Sequence, residues 1–306
     1  MLSHYHATID PEVENNSHSC ILRMVGFNKR VLEAGCASGH VSKMLRAQGC
    51  SIVGVEMDPT VVQLAEPWVE RVVLGNFDDG TLWGELEGEF FDVVLFGDVL
   101  EHLRDPLVTL CDAVKHLVPS GTVVISVPNI THADVKVALL NGTFPYRDSG
   151  LLDRTHIHFF TKESLLALVK HAGLIPTEIY RVTVPVFATE IGVRASDVNE
   201  GVLEAVLADR ESETYQFVIR AVRDDGTRSL VNLTEDLVAL TDRLHDEQRR
   251  FAVLETQEAS LRVEMEELRA LHEAESHELS HLRSRVNMIK RVVPSPLLRF
   301  FSGMFY

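Results

Sequence analysis

The segment Val31-Leu32-Glu33-Ala34-Gly35-Cys36-Ala37-Ser38-Gly39-His40 constrains the fold more than any other part of this chain. An apolar, β-prone run ends in small residues and opens into Val41-Ser42-Lys43-Met44-Leu45-Arg46, which reads as a helix. A strand that feeds a helix through glycines lets the backbone approach a ligand at the helix N-terminus. A dinucleotide loop needs G-x-G-x-x-G, but counting from Gly35 the next two glycine positions hold Ala37 and His40. The pattern present is E-x-G-x-x-x-G, with Glu33 placed just ahead of Gly35 and Gly39 closing it. A carboxylate there suits a ligand with a cationic group and would repel a pyrophosphate.

The sequence has 306 residues, 45% of them hydrophobic, enough for one large domain and an appendage. A formal net charge of −16 lacks the electrostatic footprint of a generic nucleic-acid binder, so nucleic acid is not an expected partner. Cys20, Cys36, Cys50 and Cys111 form no C-x-x-C pair, which argues against a zinc ribbon or redox motif and for reduced, packed thiols. Met1-Leu2-Ser3-His4-Tyr5-His6 shows no basic region followed by an apolar core, and no apolar run approaches a membrane span. A cytoplasmic location is the expectation.

From residue 30 to about 222, short β-like runs alternate with helical patterns. The expected strands are Arg30–Gly35, Ser51–Glu56, Arg71–Leu74, Phe91–Phe96, Thr122–Val127, Leu174–Val184 and Tyr215–Val222. Helices are expected at Val41–Ala47, Pro59–Ala65, Pro106–Leu117, Lys162–His171 and Val198–Ala208. Runs such as Val93-Val94-Leu95-Phe96 are apolar on both faces, as when helices cover both sides of a parallel sheet. The reading is a doubly wound, Rossmann-like α/β domain over 29–224, with residues 1–28 as a lid or leader. The last two strands are more polar and suit an antiparallel edge.

From Leu230 the period changes to seven. Leu230, Leu237, Leu244, Phe251, Met265, Leu279, Val286 and Val293 share one register. Leu233, Leu240, Leu254, Leu261, Leu268, Leu282 and Ile289 share the second, and Glu258, His272, Glu247 and Glu275 interrupt the two. This predicts a coiled coil over 228–293, extending roughly 90 Å at about 1.5 Å per residue. It would serve a homo-oligomer or a glycosyltransferase partner. The tail 294–306 is aromatic and cationic, and could touch a membrane surface peripherally.

Glu56 ends the second strand about 20 residues past Gly35, the offset at which a carboxylate reaches the hydroxyls of a bound ribose. Together, Glu33-x-Gly35-Cys36-Ala37-x-Gly39, Gly54-x-Glu56, Gly75-Asn76-Phe77 and Phe91-Asp92-Val93-Val94 with Glu101-His102 resemble the successive motifs of class I S-adenosylmethionine (SAM)-dependent methyltransferases. The resemblance covers about 15–222 and implies a seven-stranded sheet with SAM across its C-terminal edge. It implies that Glu33, Gly35 and Gly39 hold the methionine part, with Cys36 and Ala37 in the same loop. Glu56 would hold the ribose, Met57, Asn76 and Phe77 the adenine, and Gly97 and Asp98 the methionine side.

The segment Gly150-Leu151-Leu152-Asp153-Arg154-Thr155-His156-Ile157-His158-Phe159-Phe160-Thr161 follows the fifth strand and a loop rich in turn residues. Its D-R-T-H-x-x-F-F-T pattern resembles bacterial methyltransferases associated with polysaccharide and glycolipid biosynthesis. A histidine suits removal of a proton from an attacking hydroxyl near neutral pH. His156 is the expected base, Asp153 its orienter or a sugar ligand, and Arg154 an acceptor ligand, while His158 is expected to fasten the loop. No metal site is required by the spacing, although Asp98, Glu101, Asp153 and His156 could contribute to one for Mg²⁺. The expected activity is O-methylation of a sugar hydroxyl on a glycan, glycolipid or nucleotide sugar. A quinone-type small-molecule methyltransferase and a SAM-binding scaffold built around the coil are the alternatives.

Overall fold

The computed structural model describes residues 15–224 and 228–292. The chain divides into two compact units, Met1–Asp242 and Arg243–Tyr306. Tyr5 and His6 of the expected lid, and the tail from 294, lie outside the described residues.

The first unit is built on a seven-stranded sheet. Its strands are β1 (Arg30–Ala34), β2 (Ser51–Glu56), β3 (Arg71–Leu74), β4 (Phe91–Gly97), β5 (Leu117–Pro128), β6 (Leu174–Thr183) and β7 (Thr214–Arg223), in the order β3-β2-β1-β4-β5-β7-β6. The first five run parallel, with Glu33 opposite Gly54 and Ala34 opposite Phe96. β7 inserts antiparallel between β5 and β6, so the expected antiparallel pair is present but β7 is internal.

Period-2 alternation sends successive side chains to opposite faces. Val31, Val93 and Leu95 pack on one face against α1 (Ser17–Val25) and α2 (His40–Ala47), through Ile21, Met24 and Leu45. Leu32, Val94 and Phe96 pack on the other with Leu110 and Ala113 of α4 (Pro106–Lys115) and Leu165 and Val169 of α6 (Lys162–His171). α3 (Pro59–Ala65) connects β2 to β3, its N-cap Asp58 accepting the Thr60 N–H.

Two helices depart from the sequence reading. α1, capped by Asn16, turns its apolar positions into the core against the sheet, which a reading of 1–28 as a lid or leader does not anticipate. α5 (Ala133–Leu140) occupies what reads as loop after β5. It buries Val135 and Ala138 against Leu151 and Leu152, and Ala133 and Val137 against Val206 of α7 (Glu200–Leu207). Both faces are covered, so no amphipathic stripe marks it.

The helix α8 (Arg228–Val292) has 65 residues. Within the first unit, Val238 joins the core and Asp242 pairs with Lys162 and Arg181. Within the second unit, Leu244, Phe251, Leu254, Leu261, Met265 and Leu268 are all exposed. No described helix is long and apolar enough to cross a membrane.

Candidate active site

The C-terminal ends of β1, β2 and β4 open into a cleft with two lobes. One, of about 360 Å³, is walled by Glu56, Met57, Asn76, Phe77 and His102. The other, of about 290 Å³, is walled by His18, Glu33, Cys36 and Gly97. Gly35, Ala37 and Asp98 border both.

The loop after β1 winds through left-handed backbone at Gly35 (φ +63°), Ala37 (φ +47°) and Gly39 (φ +78°). A Cβ on Gly35 would lie 2.9 Å from Val99 Cγ2, so a glycine is required there. Gly39 closes the loop as the N-cap of α2. It does not wall either lobe; a Cβ there would meet Ala65 Cα and Trp68 Cδ1 at 2.9 Å, so it lets α2 approach the end of α3. Ala37 carries a side chain in a conformation that costs an L-residue about 1–2 kcal/mol.

Each carboxylate facing this loop is anchored. Glu56 accepts the N–H groups of Ala37, Met57 and Asp58, each at 2.8 Å. Glu33 is buried and accepts the Ser42 hydroxyl, and burial pushes its carboxyl up to about 7. Cys36 is a quiet thiol, pushed up to about 12 by burial and then by Glu33 and Glu56. Asp98, in left-handed backbone at φ +56°, accepts the Ser126 hydroxyl at 3.0 Å and the Gln216 amide. Burial pushes it up to about 6. Ser126 and Gln216 sit on the paired strands β5 and β7, a long-range register that no local motif announces.

On the adenine side expected from the motifs, Met57 is 66% exposed and forms part of the lobe wall. Phe77 leans on Trp83 and Phe96, with ring centroids 5.5 and 5.8 Å away. Asn76 Oδ1 accepts the Asp78 N–H at 2.9 Å and keeps a second lone pair.

Beyond the loop lies a second cluster. The turn Leu100–His102 follows β4, and the Glu101 carbonyl accepts the N–H groups of Ile157 and His158 at 2.9 and 3.0 Å. These bonds fasten the D-R-T-H segment to the end of β4. Glu101 is 1% exposed, and neither carboxylate oxygen has a hydrogen-bond partner among the described residues. Burial, and then the nearby Asp98 and Asp153, hold its carboxyl well above the usual range. The His102 and His156 rings meet edge to face at 4.8 Å. One ligand atom from each of Glu101, His102 and His156 falls within 4.8 Å of the others, a donor set that could take a divalent cation.

A family model described as a methyltransferase domain matches residues 13–179. The chain belongs to this methyltransferase family. A ubiquinone biosynthesis O-methyltransferase from Cereibacter sphaeroides (strain ATCC 17025 / ATH 2.4.3) is 31% identical over 153 residues, which is 49% of this chain and 61% of that protein. The enzyme of the same name from Xylella fastidiosa (strain 9a5c) is 29% identical over 149 residues, 47% of this chain and 60% of that one. The chain therefore spans about three fifths of the length of these relatives. The crystal structure of a SAM-dependent methyltransferase from Archaeoglobus fulgidus shares the fold, with a TM-score of 0.50 and 18% identity over 69% of this chain and 94% of that one.

The cleft of this methyltransferase domain fits SAM by the chemistry of its walls. A buried carboxylate at Glu33 suits an ammonium, the anchored Glu56 suits a diol, and the strained Gly35–Ala37 loop brings backbone to both lobes. The acceptor residues expected from sequence separate into two groups. His156 joins the Glu101–His102 cluster; burial, then His102, lower its pKa against the opposing pull of Asp153. Asp153 is committed to the turn, its Oδ1 accepting the Thr155 N–H at 2.8 Å and hydroxyl at 2.6 Å. Burial alone would raise its carboxyl, but those bonds and the two histidines hold it below its ordinary range. Arg154 pairs with Asp148 at 2.6 Å with its side chain 62% exposed, and walls neither lobe. His158 meets the Arg104 carbonyl at 3.3 Å and stacks on Phe160, a fastening role.

Proposed function

We propose that this chain transfers a methyl group from SAM to the hydroxyl of a small phenol-like acceptor, with His156 as the base. The observation that carries the reading is His156, its pKa lowered, set against His102 at the border of the Glu56 lobe. Bound SAM supplies a sulfonium-activated methyl carbon. Glu33 would meet its ammonium and Glu56 would accept hydrogen bonds from its ribose hydroxyls, with the Gly35–Ala37 backbone bordering both lobes. His156 takes the acceptor proton as the oxygen–carbon bond forms and the carbon–sulfur bond breaks, leaving a neutral thioether. Orientation supplies much of the remaining acceleration.

A phenol, with a pKa of about 10, is within easier reach of an imidazole base than an aliphatic hydroxyl. The relatives named for ubiquinone biosynthesis favour the same acceptor class. A sugar hydroxyl is the second reading, supported by the Asp153-Arg154-Thr155-His156 pattern. Glu101, His102 and His156 would hold a cation that acidifies such a hydroxyl.

The test offers isotopically labelled methyl-SAM with catechols, hydroxylated quinone precursors, nucleotide sugars and glycan extracts, and reads the labelled atom by mass and NMR. Label on a phenolic oxygen supports the first reading, and label on a sugar oxygen the second. SAM binding without transfer to any of them would favour a scaffold. Turnover that falls with a chelator and returns with Mn²⁺ assigns the Glu101 cluster to a cation; unchanged turnover leaves His156 acting alone.

A further inference from the structure

The seam of α8 is solvent-exposed along its described length. Leu240, Leu244, Phe251, Leu254, Leu261, Met265, Leu268, Leu279, Leu282 and Val286 range from 48% to 68% exposed. The first turns of the helix are held from behind: Val238 and Asp242 face the methyltransferase domain, while Leu240 between them is 61% exposed. Isolated seams of this kind gain stability only by burial against another helix.

The polar interruptions indicate which helix. Writing Leu244, Phe251, Glu258, Met265, His272, Leu279 and Val286 as a positions makes Leu240, Glu247, Leu254, Leu261, Leu268, Glu275 and Leu282 d positions. In a parallel, in-register pair each position meets its own copy. Glu247, Glu258 and Glu275 would then each confront an identical carboxylate within the apolar seam, which is destabilising. In an antiparallel pair a meets d. Full overlap sets Glu247 opposite His272, Glu258 opposite Leu261, Glu275 opposite Leu244, Phe251 opposite Leu268 and Leu254 opposite Met265. No carboxylate then faces another, and Glu247 gains a donor, twice over by the two-fold axis. Flanking charges permit both directions. Arg243 with Glu278 and Glu255 with Arg262 favour the antiparallel pair, Glu264 with Arg269 and Glu278 with Arg283 the parallel one, so the seam decides.

We propose that α8 pairs with α8 of a second copy of this chain, antiparallel and fully overlapped, with Glu247 of each facing His272 of the other. This rests on the helix alone and stands or falls independently of the acceptor chemistry.

A spin label on His277→Cys, in the full chain carrying Cys111→Ser, tests the direction. An antiparallel dimer places the two labels about 52 Å apart along the axis at 1.5 Å per residue, whereas a parallel one holds them about 20 Å apart across two helix diameters. The expected result is the long distance in a species that sediments as a dimer. The short distance, a monomer at micromolar concentration, or a trimer overturns the proposal. Charge reversal gives an independent reading. His272→Glu is expected to weaken the dimer at least tenfold, and adding Glu247→His to restore it, because only the antiparallel pair brings those positions together. Failure of the second change to restore dimerisation overturns the assigned register.

Discussion

The two sides of the cleft are finished to different degrees. On the β1–β2 side both carboxylates that face the cleft have protein partners: Glu56 holds three backbone N–H groups and Glu33 a hydroxyl. On the β4 side Glu101 is buried with neither oxygen hydrogen-bonded among the described residues, and His102 and His156 pack ring against ring. Burial, and then the neighbouring Asp98 and Asp153, push the Glu101 carboxyl well above the usual range, which favours its protonated form. The first side is a rigid receptor that needs only its ligand. The second gathers two imidazoles beside a carboxyl raised by burial, which is where proton movement belongs.

That division makes mutations separable. The largest effect is expected from His156→Ala, which should lower turnover roughly 100- to 10,000-fold while the dissociation constant for SAM stays within about twofold. Turnover retained in that variant would break the comparison, because the β4 side would then only position the acceptor. Glu56→Ala should weaken SAM binding on the order of 100-fold in calorimetry, since charged acceptors to ribose hydroxyls are lost and three backbone donors are freed.

A smaller, graded effect should come from pH. Glu33 is raised from 4.5 to about 7, so its charge is present above that pH and lost below it. SAM affinity should therefore climb up to about tenfold per unit as pH rises to 7 and then level off, and Glu33→Gln should flatten the climb. The folded state holds the Glu33 proton that the unfolded chain releases between 4.5 and 7. Thermal stability without ligand should accordingly fall as pH rises through that window, again unless Glu33 is Gln. His156 is lowered from 6.5, so turnover at saturating SAM should rise through a pH below 6.5 and level off above it. A turnover limb that follows Glu33 instead would join the two sides into one titrating unit. The smallest effect is Ala37→Gly, expected to stabilise the domain by about 0.5–1 kcal/mol by removing a side chain from left-handed backbone, read as a raised melting temperature.

Much of the β1–β2 side could be read from sequence because its parts are contiguous: Glu33, Gly35, Ala37 and Glu56 come from two strand ends and the turn after one of them. The parallel strands declared themselves by apolar runs, and β2 and β3 have the expected bounds. β5 begins at Leu117 rather than Thr122, because Pro119, Ser120 and Gly121 look like a turn yet belong to the strand. The helix α5 was illegible for the opposite reason: apolar on all sides, it has no period to detect. His156 could be singled out by chemistry, but its meeting with Glu101 and His102 depends on two backbone hydrogen bonds across more than fifty residues. Asp153 and Arg154 sit beside it in sequence and were expected to act with it. A tight turn commits Asp153 to Thr155, and Arg154 is drawn outward to Asp148.

The ion cluster around Arg181 has a practical consequence. Its side chain is 4% exposed, held by Glu211 at 2.9 Å and by Asp242 at 2.9 Å, with Lys162 beside both acids. A shortened chain ending where the sheet ends, after Arg223, would strip Val238 from the core and leave a nearly buried guanidinium with half its counter-charge. The minimal soluble enzyme should therefore keep the first turns of α8 through Asp242, and a shorter one should express poorly however intact its cleft.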